Sequence, residues 1–279
     1  MSATPDLWEE IVAARRRGEP AALATIVSTM GSTPGKDPMK MLVRADGTFI
    51  GSVGGGCLEA EVWEHARTVM ETGRSMSVKF TLTEQHYPDS GLVCGGTVTV
   101  FVEPVTPANL HLFGAGHVGL ATADLARSAG FRVVVRDDRP DMLDPGRFPD
   151  PTVRLAGPWE DTLADHTPGP YDFVVIATRG HHDDERVLRE MAARSLSPRL
   201  LGLLGSAAKR KVLTERLAAD GVPAAWLEQV QTPVGLPIGA RTAAEIAVSI
   251  VAQLIDRVRG GRTEEATQGL TSRRVASAP

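Results

Sequence analysis

Two patterns of hydrophobic and polar residues divide the chain near position 105. The first part combines an amphipathic helix at 7–17, ended by Gly18, with alternating segments that are typical of half-buried strands. We predict strands at 21–28, 41–44, 48–53, 75–82 and 97–103, and a helix at about 58–71. Asp46-Gly47 between two of these strands predicts a hairpin turn. Residues 1–105 are therefore predicted to form the smaller, N-terminal mixed α/β domain.

After Pro104 and Pro107 the pattern changes to strands that alternate with helices, which is typical of a parallel sheet covered by helices. We predict strands at 109–113, 131–136, 153–156, 172–177 and 199–204, a sixth strand at 225–230, and helices at about 117–129, 183–195, 206–219 and 243–258. The last helix is apolar nearly all round, so we expect it to be buried in this core or against a partner subunit. Residues 106–259 thus predict a Rossmann-like, doubly wound α/β domain, and the polar residues 260–279 predict a disordered tail.

The composition of the chain argues against several functional classes. Its 279 residues carry a formal net charge of −4, which gives no electrostatic reason to expect nucleic-acid binding. No apolar run of about 18 residues or more predicts a membrane span, and the polar start, Met1 to Glu10, lacks the layout of a signal peptide. Two cysteines are too few for a disulfide framework. We therefore expect reduced thiols in a cytoplasmic protein.

Gly114-Ala115-Gly116-His117-Val118-Gly119 matches the G-x-G-x-x-G pattern of dinucleotide-binding turns and lies between a predicted strand and a predicted helix. The first glycine permits the tight turn, the second lets a phosphate approach the backbone, and the third lets helix and strand pack closely. The helix start would offer unpaired N–H groups to an anion. Asp137, which ends the next strand, could accept hydrogen bonds from a ribose diol, with Asp138 as its alternative. A Rossmann scaffold that no longer binds a nucleotide is the competing interpretation.

The segment Thr178 to Asp184 follows another predicted strand, and ligands of open α/β sheets bind beyond the carboxyl ends of the strands. Its two histidines and two aspartates could bind a metal ion, since imidazole and carboxylate are common ligands. His181 or Asp183 could instead contact an organic ligand. In the simplest interpretation Asp183 caps the following helix and the other side chains are solvated.

Two further helix starts lie at the same edge of the predicted sheet. Gly205-Ser206 precedes a helix that carries Lys209, so Ser206 is a candidate N-cap and the helix start a candidate anion site. Thr242 and Glu245 form a capping box at the last helix. Arg241, just before this box, could bind a phosphate through two hydrogen bonds.

Each cysteine lies beside glycines. Cys57 follows the glycines Gly54, Gly55 and Gly56 at a predicted helix start, a position that favours the thiolate form. Cys94 precedes Gly95, so a ligand or another backbone could approach it closely. These thiols suggest handling of sulfur or a soft metal, while two small residues packed in a tight fold would give the same pattern. No nearby His–Asn or His–Asp arrangement supports a cysteine protease.

The order of these motifs resembles the XdhC/CoxI family, accessory proteins of xanthine and carbon-monoxide dehydrogenases. The resemblance covers both domains, roughly residues 8–257, and no single motif is as specific as their order. The motifs are Gly31-Ser32-Thr33-Pro34, Gly51 to Glu59, Cys94-Gly95-Gly96, Gly114 to Gly119, Asp137-Asp138-Arg139, Gly205-Ser206 with Lys209-Arg210, and Pro233 to Gly239 followed by Glu245-Ile246-Ala247.

The resemblance implies a protein that binds the molybdenum cofactor (molybdopterin, with or without a nucleotide), protects it while its sulfido ligand is installed, and helps deliver it to an apo-molybdoenzyme. It also implies a homodimer that works with a cysteine desulfurase and has no turnover of its own. The residues leave two alternatives open, an NAD(P)-dependent oxidoreductase with His181 as acid or base, and a nucleotide-sensing regulatory protein. We further expect the helix starts and a cysteine to converge in one cleft between the domains.

Overall fold

The computed structural model describes residues 6–33, 37–82 and 96–259, which form two units, each built on one sheet. The helices are α1 (Leu7–Arg17), α2 (Gly56–Thr72), α3 (His117–Ser128), α4 (Trp159–Asp165), α5 (His181–Ala193), α6 (Ala207–Ala219), α7 (Ala224–Leu227) and α8 (Ala243–Arg259). The strands are β1 (Ala21–Met30), β2 (Lys40–Arg44), β3 (Phe49–Gly51), β4 (Met76–Thr81), β5 (Thr97–Pro104), β6 (Asn109–Phe113), β7 (Arg132–Asp137), β8 (Val153–Ala156), β9 (Phe173–Ile176), β10 (Leu200–Leu203) and β11 (Val230–Gln231). The predicted tail lies outside the described residues.

The N-terminal unit is an antiparallel sheet with strand order β3-β2-β1-β5-β4. The predicted hairpin is confirmed, because β2 pairs with β3 around Asp46-Gly47. Helix α2 covers one face of the sheet with an apolar stripe of side chains three to four residues apart, which is the spacing of one helix face. The stripe consists of Leu58, Val62, Ala66 and Val69, all buried in the same cluster as Val98 and Val100 of β5.

The C-terminal unit is a parallel sheet with strand order β11-β10-β9-β6-β7-β8. Numbered from β6, this is the 3-2-1-4-5-6 order of a Rossmann fold. Apolar residues fill both faces of the sheet, as they must when helices cover both sides. Helices α3 and α8 pack on one face, and α4, α5 and α6 pack on the other. The predicted Rossmann-like, doubly wound domain is confirmed.

Two predicted elements differ from the structure. The sixth strand at 225–230 is wrong for most of its length, because residues 224–227 form the short helix α7 and β11 covers only Val230–Gln231. Pro223 precedes α7 with a backbone conformation suited to a helix start, and a proline is tolerated there because its missing N–H would be unpaired in any case. Helix α4 was not predicted from the sequence, although Trp159 at its start is almost fully buried.

Helix α8 is buried on one side only. Ile250 and Leu254 are inaccessible to solvent, whereas Val248 and Ile255 are 48% and 40% exposed. One face of this helix is thus buried in the core, and burial of its other face against a partner subunit stays a prediction. No helix within the described ranges is both long and apolar enough to cross a membrane.

The N-terminal unit packs against the edge of the parallel sheet at which its strands begin. Asn109, the first residue of β6, donates from Nδ2 to the carbonyl of Gly18 at 2.8 Å. Arg199, just before β10, donates to the carbonyl of Thr72 at 2.9 Å. A cavity of about 210 Å³ remains between the two units beside these contacts. The carboxyl ends of the parallel strands consequently face away from the N-terminal unit.

Candidate functional site

We call the edge formed by the carboxyl ends of the parallel strands the rim. Helices α3, α5 and α6 begin there, directly after β6, β9 and β10. Helix α8 ends beside Arg199 at the opposite edge, which places its start at the rim as well. The strand order reverses between the neighbours β6 and β9, and ligands of open α/β sheets bind beyond the strand ends at such a switch point. The rim is therefore a candidate ligand site.

The glycine turn after β6 has a different steric environment at each glycine. A Cβ atom on Gly114 (φ +113°) would lie 2.2 Å from the carbonyl oxygen of Ala177, and one on Gly119 would lie 2.0 Å from that of Gly114. A Cβ atom on Gly116 would meet no described atom within 4 Å. The exposed His117 then begins α3, whose start has no side-chain cap. Packing thus requires the outer two glycines, while the middle one borders open space that a phosphate could enter.

Asp137, at the end of β7, is buried and already accepts several hydrogen bonds. Its Oδ2 accepts from the amide of Ala115 at 2.8 Å, and its Oδ1 accepts from Nε of Arg139 at 2.8 Å. Burial raises the pKa of Asp137, but the hydrogen bonds from Arg139 and Ala115 outweigh it and hold the pKa below its usual range. Asp137 therefore fixes the glycine turn, and its contact with a ribose stays a prediction. Asp138, the alternative, accepts from Nη2 of Arg179 at 2.6 Å.

The segment after β9 divides its polar side chains between solvent and interior. His181 and His182 are exposed, whereas Asp183 and Asp184 are buried. The N-cap of α5 is Gly180, and Asp183 instead accepts from Nε of Arg179 at 3.0 Å. The capping role considered for Asp183 is thus wrong, because its carboxylate is used to hold an arginine from the preceding loop.

Lys209 and Asp184 join the starts of α6 and α5. The Lys209 ammonium forms an ion pair with Asp184 and donates to the carbonyl of Leu204 at 3.0 Å. Asp184 also accepts from Oγ1 of Thr178 at 2.6 Å. The predicted N-cap Ser206 is confirmed, since its Oγ accepts from the amide of Lys209 at 3.2 Å. Sequence reasoning found the lysine but not its buried partner, which sits on another helix.

The start of α8 is the predicted capping box. The amides of Arg241 and Thr242 donate to the Glu245 carboxylate at 2.7 and 3.0 Å, and Oγ1 of Thr242 accepts from the amide of Glu245 at 3.2 Å. The hydrogen bonds from the amides of Thr242 and Arg241 lower the pKa of Glu245. Arg241 is exposed, so its guanidinium is accessible to a ligand at the rim.

The motif segments of the N-terminal unit meet at one end of its sheet, which we call the motif end. There β1 and β4 end and β5 begins, because Met30 and Thr81 both pair with Thr97. A Cβ atom on Gly96 would lie 2.3 Å from the carbonyl oxygen of Ser32, so the backbones of two motifs touch. Cys94 and Gly95 lie outside the described residues, but Leu82 and Gly96, which flank residues 83–95, lie at this end.

Cys57 is exposed at the start of α2, and because α2 ends at Thr72 beside the domain boundary, its start lies on the side of the motif end. Three consecutive glycines, Gly54, Gly55 and Gly56, have φ of +125°, +85° and +59°, the left-handed region that favours glycine. Glu59 reaches back to this loop and accepts from Oγ of Ser52 at 2.6 Å and from the amide of Gly55 at 3.1 Å. The loop is thus held from one side, while Cβ atoms on Gly55 and Gly56 would meet no described atom within 4 Å.

The motif end and the rim point away from each other. Strand β1 begins at Ala21, which lines the cavity between the units, and runs 10 residues to the motif end, about 33 Å at 3.3 Å per residue. The rim lies beyond β6 on the other side of that cavity. The expectation that the rim helices and a cysteine share one cleft is therefore wrong within a single chain.

A buried polar network that sequence reasoning missed lies in the parallel sheet, where it joins Arg136 of β7 and His111 of β6 to Asp172, which directly precedes β9. Arg136 is fully buried and its Nη1 lies 3.1 Å from Nδ1 of His111. Because arginine only donates, this places the imidazole proton on Nε2, which lies 3.3 Å from the Asp172 carboxylate. Burial lowers the pKa of His111 to about 4. The hydrophobic pattern of β6 gave no signal for this network, because the partners of His111 come from other segments of the chain.

The described residues contain no group of three or more His, Cys, Asp or Glu side chains that could hold a metal ion. This includes the segment after β9, where the two aspartates are bound by arginine, lysine and threonine. What the rim presents instead is open backbone at Gly116, uncapped helix starts and the exposed Arg241. Such an arrangement suits an anionic ligand.

Comparison with known proteins identifies relatives along both units. The chain is 32% identical to the uncharacterized protein YqeB of Escherichia coli K12 over 90% of its length, and it spans 46% of YqeB. It is 26% identical to a probable xanthine dehydrogenase subunit of Bacillus subtilis 168, covering 85% of this chain and 93% of that protein. It is 28% identical to the molybdenum cofactor insertion chaperone PaoD of E. coli K12, covering 87% and 85%.

Two family models match the chain, one to each unit. The model of the XdhC and CoxI family matches residues 14–81, which include β1 to β3, α2 and Cys57. The model of the XdhC Rossmann domain matches residues 110–254, which cover the rim and just over half of the chain. The chain belongs to the XdhC and CoxI family.

Proposed function

We propose that the chain binds the molybdenum cofactor and passes it to an apo-molybdoenzyme of the xanthine or carbon-monoxide dehydrogenase type, as a chaperone without turnover of its own. The observation that carries the proposal is the open backbone at Gly116, beside the uncapped start of α3 at the switch point of the Rossmann sheet. The cofactor is a phosphorylated pterin, and free amides at a helix start suit its phosphate. The relative named a molybdenum cofactor insertion chaperone supports the same class of ligand.

At the rim we assign the phosphate to the backbone amides of Gly116 and His117, with the exposed Arg241 as a second ligand. Lys209 contributes differently, because its ammonium is held by Asp184 and its role is to fix the start of α6 against α5. Ser206 caps the same helix. A phosphate thus meets backbone donors and one arginine at positions that folding has already fixed, so little further ordering is needed on binding.

At the motif end we assign sulfur handling to Cys57, with Cys94 as the second thiol. Cys57 is exposed at the start of a 17-residue helix and next to a glycine loop that leaves room for a ligand. The cofactor, when bound, supplies a molybdenum centre with soft sulfur ligands, and thiolates are suited to such a centre. A cysteine desulfurase is the proposed sulfur donor, and the cytoplasm, where thiols stay reduced, is the proposed compartment.

A homodimer would bring the two candidate sites together. One small cofactor cannot reach both ends of a chain in which β1 alone spans about 33 Å between the domain boundary and the motif end. We therefore propose an antiparallel pair in which the motif end of each chain faces the rim of its partner. A twofold axis then creates two equal sites and closes the assembly.

The cofactor role is tested by anaerobic gel filtration of the full chain with free cofactor, followed by analysis of bound molybdenum and pterin. We expect the wild-type chain to retain both at micromolar concentration, and the Gly116→Ala and the Cys57→Ser/Cys94→Ser variants to retain less. A wild-type chain that neither retains nor protects the cofactor contradicts the proposal.

The paired arrangement is tested by mixing the Cys57→Ser chain with the Gly116→Ala chain. If each site combines two chains, subunit exchange restores one intact site in every mixed dimer, about a quarter of wild-type capacity. If each site lies within one chain, mixing restores nothing. Each defective chain is measured alone first, and the wild-type chain is measured beside it. A failure of the mixture to recover binding therefore refutes the pairing, whereas a failure of the wild-type chain to bind refutes the cofactor role.

A second candidate function is nucleotide binding at the rim, either for NAD(P)-dependent oxidoreduction or for regulation of a partner. The Rossmann strand order and the open space at Gly116 favour it. The hydrogen bonds that Asp137 accepts from Arg139 and Ala115 weigh against a ribose contact at this carboxylate. Titration of nicotinamide fluorescence distinguishes the candidates, since absence of binding at millimolar NAD(P)H removes the oxidoreductase. Unchanged function of the Cys57→Ser/Cys94→Ser variant would favour the regulator.

A further inference from the structure

A groove lined by apolar side chains and arginines runs between α1 and the Rossmann unit. It measures about 430 Å³ and touches both units on a face that includes neither the rim nor the motif end. We call it the arginine groove. Its lining includes Arg15 and Arg16 of α1 and Arg127 and Arg132 of the Rossmann unit.

The charge of the arginine groove is one-sided. Four arginines line it, and its described lining contains no aspartate or glutamate, although the whole chain has a formal net charge of −4. Arg15 donates to the carbonyl of Val105 at 2.8 Å, and Arg132 lies 3.2 Å from a nitrogen of His166, so neither contacts a carboxylate there. Arg127 pairs with Asp124 at 3.2 Å across an exposed part of α3. Such a surface attracts carboxylates, and an arginine binds each of them with two hydrogen bonds.

The arginine groove also has apolar lining. Val12, whose side chain is largely exposed, borders it, and the nearly buried Phe131 and Val133 line its base. Exposed apolar surface that is bordered by charge marks an interaction site more often than an ordinary protein surface. A ligand that satisfies this groove must therefore combine apolar side chains with several negative charges.

We propose that the arginine groove is a docking surface for a partner polypeptide, through a segment in which glutamate or aspartate alternates with apolar side chains. The groove bridges two units, with Arg15 and Arg16 on one and Arg127 and Arg132 on the other, which favours an extended segment with several carboxylates over a single small acid. The chain's own residues 260–279 complement it poorly, because they carry three arginines and two glutamates. Docking here leaves the rim and the motif end accessible, so the inference does not depend on what those sites bind.

The test uses fluorescein-labelled twelve-residue peptides and fluorescence anisotropy with the full chain. One peptide alternates glutamate with leucine, a second replaces each glutamate by lysine, and a third replaces each leucine by serine. The groove is altered by Arg16→Glu with Arg127→Glu, and an equal charge change elsewhere, Lys79→Glu with Lys211→Glu, serves as the control. Both pairs lie on exposed or half-exposed positions, and circular dichroism checks that each variant is folded.

We expect the glutamate–leucine peptide to bind the wild-type chain at least tenfold more tightly than the other two, with an affinity that falls as salt is raised. The groove variant should lose tenfold or more of this affinity and the control variant less than twofold. Equal affinity for the lysine peptide, or equal loss in both variants, overturns the proposal. A tenfold gain in peptide affinity on removing residues 260–279 also overturns it, because that segment would then be the occupant. A change of oligomeric state in the groove variant does the same, because it would assign the groove to a second copy of the chain.

Discussion

The sharpest prediction concerns two glycines of one turn that should respond in opposite ways to the same substitution. Gly116 has φ −69° and ψ −169°, which alanine adopts freely, and its added Cβ atom would meet no described atom within 4 Å. Gly116→Ala should therefore leave the free energy of unfolding unchanged or raise it by up to about 1 kcal/mol, since alanine restricts the unfolded chain. Gly119→Ala would place its Cβ atom 2.0 Å from the carbonyl oxygen of Gly114. Helix α3 must then shift by roughly 1 Å, at a cost of about 1–3 kcal/mol or more.

For the affinity of the ligand we expect the reverse: Gly116→Ala should weaken binding more than Gly119→Ala. The methyl group of Gly116→Ala enters the space assigned to the phosphate and separates it from the amides at the start of α3. Losing one or two charge-assisted hydrogen bonds at about 1.5–3 kcal/mol each weakens binding by at least about tenfold. Folded Gly119→Ala should lose less affinity than Gly116→Ala, because its methyl group lies behind the turn and does not enter that space.

The assay combines urea denaturation, followed by circular dichroism, with cofactor retention on gel filtration at a temperature where both variants are folded. Gly114→Ala is the internal control, because its Cβ atom would lie 2.2 Å from the carbonyl oxygen of Ala177 and should destabilise the fold. The reasoning is refuted if Gly116→Ala unfolds as readily as Gly119→Ala, or if it is fully stable and still retains the cofactor like the wild-type chain.

Three further predictions follow from the contacts described above. Glu59→Ala removes the acceptor for Ser52 and Gly55 and should destabilise the N-terminal unit by about 1–3 kcal/mol. In a Cys94→Ser background, where Cys57 is the remaining cysteine, Glu59→Ala should also speed the alkylation of Cys57. An unchanged alkylation rate contradicts the assigned loop contacts. His111 has a folded-state pKa of about 4, below its usual value near 6.5, so only the unfolded chain takes up its proton as pH falls between those values. The free energy of unfolding should therefore fall by about 3 kcal/mol over that window, and urea denaturation should show this as a lower midpoint. His111→Gln should flatten this dependence on pH, and an equal slope in the variant contradicts the assignment. Arg199→Ala removes a hydrogen bond to Thr72 across the domain boundary and one to Arg257 within the Rossmann unit. It should split thermal unfolding into two calorimetric transitions, whereas a single unshifted transition argues that the contact with Thr72 does not couple the units.

The sequence alone determined those features whose cause is local. The alternation of strands and helices, the Asp46-Gly47 hairpin and the glycine turn before α3 depend on residues within a few positions of each other. The same holds for the Ser206 cap and the Thr242–Glu245 box, in which a side chain and an amide three residues apart meet in any helix start. The order of short motifs indicated the family, which the matches along both units confirm.

Only the tertiary structure decided which polar groups pair and which surfaces face each other. Asp137 and Lys209 each looked free to contact a ligand, yet their partners Arg139 and Asp184 depend on how a loop turns and how two helices pack. The sequence also gave no sign that the N-terminal unit docks on the edge where the parallel strands begin, through Asn109 and Gly18. Pairings between residues distant in the chain depend on the direction in which each side chain is packed, and hydrophobic periodicity records only whether a position is buried. For that reason the separation of the rim from the motif end could be seen only once the chain was folded.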